Sequence, residues 1–399
     1  MWRLNRDCLL SKNIIHKIGP ETIVNFDLSI LKELDSGELI KFRNKFLELL
    51  HLLKHKRIMV DYDSIRLQSI RYNVLLIGPR ELQLDVSDVC NYRCTFCLTH
   101  SRLTDKSNGD GYMPFIDVRR IINSAYRIGT ETIYLSGHGE PLLHPRIINI
   151  ISYSCRIGLK TTVLTNASIE KKVSEILKLP ATRNLSFLLN LAAVNPEKFS
   201  LIHNGDPECF FSILNNIKLL NKRYGILLSY IIYKDNISDI FEFTKLAYSL
   251  GVKAVKYRFP NFYDTNYEKL RFSTKDRTLF LKNIHRAKNF ARNHNMKIDL
   301  QELVRFYLYK LNKIKIERCY RGWFFSNVKV TGEVYNCCIE NKPLGKVTAG
   351  NFEKVFFSPH YFSFILGGKK SVSVNSKKWR KCKFCPEYDR SRHIDNLIK

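Results

Sequence analysis

Cys90-Asn91-Tyr92-Arg93-Cys94-Thr95-Phe96-Cys97 sets three cysteines at C-x3-C-x2-C spacing. Thiolates are the ligands of iron–sulfur clusters, and a closed electron-transfer cubane takes four of them. Three leave one iron open to a chelating ligand, as a catalytic cluster requires. Zinc is the competing reading, since His100 follows Cys97 at C-x2-H and would complete a Cys3His set.

Regular elements must hold such a loop in place. From Glu81 onward, short apolar runs at 82–86, 132–135, 161–164, 186–191, 226–233 and 254–259 read as strands. Helical patterns lie between them near 116–127, 146–156, 169–177, 211–220 and 237–250. This alternation implies parallel βαβ units. The fold class predicted is α/β, with a partial (β/α)6 TIM-like barrel over residues 80–300. Chemistry in such a fold sits at the C-terminal ends of the strands, and the cysteine loop directly follows the first strand. Residues 1–79 read as a largely helical region. Leu39, Phe42, Phe46, Leu49, Leu50 and Leu53 give residues 38–54 an amphipathic face, with Lys41, Arg43 and Lys45 among the outer positions. Residues 301–399 break the rhythm and read as a small α+β module, with a hairpin over 328–337 turning at Thr331-Gly332.

The cysteine segment, with Phe96 just before its third cysteine, resembles the signature of the radical S-adenosylmethionine (SAM) superfamily. The resemblance implies that Cys90, Cys94 and Cys97 hold a [4Fe–4S] cluster. The open iron would bind the amino and carboxylate groups of SAM, with the backbone around Phe96 at the adenine. Reductive cleavage of SAM then yields a 5′-deoxyadenosyl radical that abstracts a substrate hydrogen; the cofactor carries the chemistry and the protein positions it. Ser136-Gly137-His138-Gly139-Glu140-Pro141 resembles the family's Gly-Gly-Glu-Pro stretch. That implies Gly137, Gly139 and Glu140 at the SAM amino group, the glycines for close approach and Glu140 as carboxylate acceptor. His138 stands where a glycine is common, and either faces substrate or is a solvated loop histidine. Thr165-Asn166 is similar to the family's Thr-Asn-Gly, with Ala167 in place of glycine. Asn190 ends the fourth strand, where the family often has Ser or Asp near the ribose hydroxyls. It would bind there or satisfy backbone. Arg258 ends the sixth strand and would pair with the SAM carboxylate or join a scaffold ion pair.

Cys319, Cys337 and the pair Cys382-Lys383-Phe384-Cys385 resemble the shortened "twitch" form of the SPASM auxiliary-cluster extension. The resemblance implies an auxiliary [4Fe–4S] or [2Fe–2S] cluster on Cys319, Cys337, Cys382 and Cys385, with Cys338 a rival for Cys337. Four thiolates leave no open iron and favour electron transfer; a structural zinc site would use the same four. Residues 386–399 contain no cysteine, so a second auxiliary cluster is not expected.

The wider composition narrows the function class. A chain of 399 residues buries a large core without staples, so its 11 cysteines do not read as a disulfide framework. Cys8, Cys155 and Cys209 read as small buried hydrophobes. Neither a signal peptide nor a run near the ~20 apolar residues of a membrane helix is evident, and a cytoplasmic location is expected. The net charge of +28 comes from lysines spread along a Lys-, Asn- and Ile-rich chain, with no nucleic-acid motif beside them, so a nucleic-acid partner is not expected. The leading expectation is an oxidoreductase acting on a sugar- or cyclitol-like alcohol, the auxiliary cluster accepting the electron. A peptide-modifying maturase whose N-terminal region binds a leader is the second reading. A non-catalytic zinc or nucleic-acid binding protein is the third. The first two need a small-molecule or peptide substrate and a low-potential donor of flavodoxin or ferredoxin type. They also need a general base, for which Tyr92, His138 and His144 all lie near the motifs.

Overall fold

The computed structural model describes residues 2–3, 23–55, 59–101, 111–260, 270, 273, 276–300, 318–337, 342–370 and 388–398. The N-terminal region contains β1 (Trp2–Arg3), β2 (Ile23–Val24), β3 (Phe26–Asp27), α1 (Ser36–His55), β4 (Met59–Val60) and α2 (Tyr62–Arg71). β1 lies parallel to β3 and β2 parallel to β4. Two short ladders therefore accompany the expected helices; two-residue strands are too brief to show a period in the sequence. Asp35 and Glu38 open α1 reciprocally, each side chain accepting the other's backbone N–H at 2.8 and 3.1 Å. Phe42, Phe46, Leu50 and Leu53 are buried as the pattern predicts. Arg43 is not an outer position: its guanidinium lies 4.1 Å from the centre of the Phe357 ring. Its aliphatic stem lets a charged residue cover apolar surface.

The barrel runs through β5 (Glu81–Ser87), α3 (Phe115–Arg127), β6 (Thr132–Gly137), α4 (Ile147–Arg156), β7 (Lys160–Thr165), α5 (Glu170–Leu177) and β8 (Leu185–Asn190). It continues with α6 (Pro196–His203), α7 (Cys209–Asn221), β9 (Gly225–Ile231), α8 (Ile240–Ser249), β10 (Ala254–Arg258), α9 (Asp276–Asn293) and β11 (Lys297–Ile298). Strands β5 to β10 are neighbours in chain order and all parallel. Along them, Leu82, Leu84, Ile133, Leu135, Val163, Phe187 and Leu228 form one buried face against the helices. Each such side chain contributes about 1.5–3 kcal/mol by leaving water. A one-residue slip would turn that face inward, so the register is strongly specified. The opposite face carries Gln83, Asp85, Thr162, Ser186, Asn190 and Ser229 and lines the concave interior.

The C-terminal part comprises α10 (Arg321–Phe324), β12 (Phe325–Val328), β13 (Glu333–Tyr335), β14 (Gly345–Lys346), α11 (Phe352–Phe356), α12 (Pro359–Lys370) and α13 (Tyr388–Ile398). β12 joins the barrel sheet, parallel to β5, and the β12–β13 hairpin turns at Gly332, whose φ is +83°. The sheet thus takes strands from both sides of residue 300, β11 beside β10 and β12 beside β5. Arg66, 1% exposed, ties the N-terminal region to the barrel floor. It donates to the Gly78 and Gly129 carbonyls at 3.2 and 2.8 Å and to Glu131 at 2.6 Å. Trp323 donates its indole N–H to the Val74 carbonyl at 3.3 Å, linking the C-terminal part to the same region.

Candidate functional site

The loop carrying Cys90, Cys94 and Cys97 leaves the C-terminal end of β5 and docks on two neighbours. On one side it meets the β6 loop: Gly139 and Glu140 donate backbone N–H groups to the Ser87 and Val89 carbonyls at 3.0 and 2.7 Å. A Cβ on Gly137 would stand 2.1 Å from the Ser87 carbonyl oxygen, and one on Gly139 2.0 Å from that of Val89. These glycines are required by the cysteine loop itself, whatever a ligand adds. On the other side the loop meets the C-terminus of α6. Arg93 and Thr95 donate backbone N–H groups to the His203 and Ile202 carbonyls at 3.2 and 2.8 Å.

Donors surround the cysteine sulfurs. Thr99 and His100 present backbone N–H groups to the Cys97 sulfur at 3.4 and 3.3 Å. The backbone of Tyr92 and Asn91 faces the Cys90 sulfur. His203 Nδ1 lies 3.1 Å from the Cys94 sulfur. Burial pushes the Cys90 thiol up to about 12 and that of Cys94 well above its ordinary value. Thiols in so dry a setting need a cationic partner to ionise, which cluster iron supplies. Among the described residues no three His, Cys, Asp or Glu side chains converge where a single metal ion would sit.

Glu140 is 3% exposed and braces two strand ends. It accepts from the Thr165 hydroxyl at 2.5 Å and from the backbone N–H groups of Asn166 and Leu142 at 2.7 and 2.9 Å. Burial raises its carboxyl to about 7, against the opposing pull of those hydrogen bonds. Asn166 then reaches Asn91 of the cysteine loop at 3.0 Å, joining the first three strand ends. Ala167 has φ +57°, the left-handed conformation that favours glycine. Phe96 packs edge-on against the His203 ring at 5.8 Å and tilted against Tyr233 at 6.4 Å. Asn190, at the end of β8, has a buried Oδ1 without a hydrogen-bond partner among the described residues. An orphaned acceptor of this kind fits a ligand hydroxyl. Arg258 is exposed at the end of β10.

The three candidate bases separate. Tyr92 is buried against Phe199, at 5.5 Å edge-on, and burial lifts its hydroxyl to about 12. His144 is 2% exposed and fixed at both nitrogens: Nδ1 accepts from the Arg146 N–H at 3.0 Å and Nε2 meets the Met113 carbonyl at 2.9 Å. His138 alone stands open, its side chain 41% exposed, in contact with Lys329. Asp85, fully buried on the inner face of β5, has Oδ2 3.8 Å from His138 Nε2 and 3.7 Å from Lys329 Nζ. Its Oδ1 accepts from Ser136 at 2.9 Å and Gln83 at 3.1 Å. Lys329 follows β12 and was not legible as a site residue, because only the parallel pairing of β12 with β5 brings it there.

His203 was also missed. Its helix has a readable start, with Asn195 accepting from the Lys198 N–H at 2.8 Å and Pro196 at the first helical position. In the C-terminal part, Cys319 donates its backbone N–H to the Gly368 carbonyl at 2.9 Å, and Cys337 follows β13. Cys8, Cys338, Cys382 and Cys385 lie outside the described residues. Cys155 and Cys209 are half-buried and pack against the core. No helix among the described residues is long and apolar enough to cross a membrane.

Comparisons with known proteins agree with this arrangement. AlbA of Bacillus subtilis (strain 168), an antilisterial bacteriocin subtilosin biosynthesis protein, is 22% identical over 382 residues, 89% of this chain and 81% of its own. A GTP 3′,8-cyclase of Klebsiella pneumoniae subsp. pneumoniae is 38% identical over 71 residues, only 21% of its length. Among solved structures, Streptococcus suis SuiB bound to precursor peptide SuiA superposes with a TM-score of 0.58 at 16% identity, over 94% of this chain and 80% of that one. The model of the radical SAM superfamily matches residues 84–289, more than half of the sequence and the whole span from the cysteine loop to the sixth barrel strand. A parallel half-barrel with a three-cysteine loop on its first strand end is therefore no chance arrangement: the chain belongs to the radical SAM superfamily.

Proposed function

We propose that this chain modifies a peptide by radical SAM chemistry, with Cys90, Cys94 and Cys97 as ligands of the SAM-binding cluster. When bound, the cluster and SAM supply a 5′-deoxyadenosyl radical able to take a hydrogen atom from substrate. Phe96, Gly137, Gly139, Glu140 and Asn190 would form the SAM site, with Asn190 Oδ1, unpartnered among the described residues, accepting from a ligand hydroxyl. One observation carries the peptide reading. The likeness to AlbA and to peptide-bound SuiB runs through the N-terminal and C-terminal parts, while the likeness to the cyclase is local. Residues 1–79 would dock the peptide, residues 80–300 would perform the chemistry, and residues 301–399 would hold the auxiliary cluster on Cys319, Cys337, Cys382 and Cys385. On the β2–β4 ladder, the paired residues Ile23 and Met59 are 57% and 48% exposed and offer apolar surface for that docking. A flavodoxin- or ferredoxin-type protein would supply the low-potential electron.

The Asp85–His138–Lys329 group is the best-placed handler of protons. His138 would take the proton that a substrate radical gives up as its electron passes to the auxiliary cluster, and Asp85 and Lys329 would hold it in place. The alcohol-oxidising reading keeps one specific support: the concave face is rich in hydroxyl and amide groups, Gln83, Thr162, Ser186 and Ser229 among them. One experiment separates the two. The reconstituted enzyme is given SAM, dithionite and either the short peptides encoded beside its gene or a panel of cyclitols and sugar alcohols. A mass change in a peptide, with 5′-deoxyadenosine formed, is the expected result. Turnover of a polyol with every peptide unchanged would overturn the peptide reading.

A further inference from the structure

We infer that His203 donates a hydrogen bond from Nδ1–H to the Cys94 sulfur, and thereby raises the reduction potential of the cluster that Cys94 would hold. The inference rests on the proposal that Cys94 is a cluster ligand. The donor assignment follows from the other side of the ring. The Ala192 backbone N–H points at His203 Nε2 at 3.2 Å, and a backbone N–H is always a donor. Nε2 must therefore accept, and carries no proton. In a neutral imidazole the proton then resides on Nδ1, 3.1 Å from the Cys94 sulfur.

The surroundings hold that geometry. His203 is 2% exposed, stacked on Phe199 at 5.0 Å and met edge-on by Phe96 at 5.8 Å. Its own carbonyl and that of Ile202 accept from the N–H groups of Arg93 and Thr95, on either side of Cys94. Ring and loop are thus locked together by backbone contacts, in a water-poor setting where a hydrogen bond is electrostatically strong. A donor to a ligating thiolate draws electron density from the cluster and eases its reduction. The donors to Cys97 are backbone groups, so they persist in any side-chain variant. His203 is a side chain, and so sets a part of the potential that one substitution can remove. It is a positioning and tuning residue, not one that touches substrate.

The test is a redox titration of the full chain, following the EPR signal of the reduced cluster that changes on addition of SAM. His203→Phe keeps the ring packing and removes the donor. His203→Asn places an amide N–H near the Nδ1 position. The midpoint is expected to move to a more negative potential in His203→Phe and to return most of the way in His203→Asn. Equal midpoints in all three proteins would overturn the inference. Should His203→Phe fail to fold, the unaltered enzyme labelled with 15N-histidine answers the question: a histidine 15N hyperfine coupling in the reduced SAM-responsive signal is expected, and its absence would also overturn the inference. Loss of the ligand assignment itself would look different, since Cys94→Ala would then keep full iron and the SAM-responsive signal.

Discussion

At the scale of single residues, the structure engages several signature positions in the fold itself. Glu140 is one of them, buried and accepting from Leu142, Thr165 and Asn166. Its folded pKa of about 7 lies above its ordinary value, so the native state favours the protonated form. The associated stability is fully present below the unfolded pKa and is lost as pH rises through about 7. Thermal midpoints of the metal-free chain between pH 5 and 8 should therefore fall with pH more steeply in the parent than in Glu140→Gln; parallel profiles would contradict this. Ala167 offers a second check. A left-handed non-glycine residue costs roughly 1–2 kcal/mol. Ala167→Gly should leave stability unchanged or raise it by up to about 1 kcal/mol in denaturant unfolding, the lost methyl packing offsetting part of the gain. Cys90, Cys94 and Cys97 were legible by their spacing, and the Gly137–Glu140 stretch by its resemblance to the family's Gly-Gly-Glu-Pro. Lys329 and His203 were not, because their partners stand 244 and 109 residues away along the chain, at Asp85 and Cys94.

Among the elements, the strand ends and the α6 terminus do the positioning. Backbone-to-backbone approach at Gly137 and Gly139 fixes the cysteine loop to the β6 loop. Gly139→Ala should destabilise the loop by more than about 2 kcal/mol, since backbone atoms rather than a flexible side chain must give way. The measurable result is a chain that still folds, by circular dichroism, but retains less iron after reconstitution; full iron retention would count against the argument. The six barrel strands could be read from short apolar runs set between helical patterns, because each strand buries one face against helices. α6 was passed over because it is only 8 residues long and its buried positions, Phe199, Ile202 and His203, form a short pattern. The hairpin at Gly332 was legible because a turn needing positive φ calls for glycine.

For the molecule as a whole, the N-terminal region, barrel and C-terminal part share one frame. Arg66 braces the first against the second, and Trp323 and Arg43 join the third to the first. Arg66→Ala leaves two buried carbonyls and Glu131 without their donor, and should cost about 3 kcal/mol. A midpoint lowered by several degrees is expected, and an unchanged one would mean that the brace is idle. None of these joints was visible in the sequence, where Arg66 and Trp323 look like ordinary members of their helices. The net charge of +28 was legible, yet it indicates no partner by itself. The central claim is that one catalytic and one auxiliary cluster serve this frame. Anaerobic reconstitution with iron and sulfide, then SAM and dithionite, tests it on the parent chain and on Cys97→Ala. The account predicts roughly six to eight irons per chain, according to whether the auxiliary cluster has two irons or four, and 5′-deoxyadenosine release that Cys97→Ala abolishes. A chain that takes up no iron, or that releases 5′-deoxyadenosine equally well without Cys97, would contradict it.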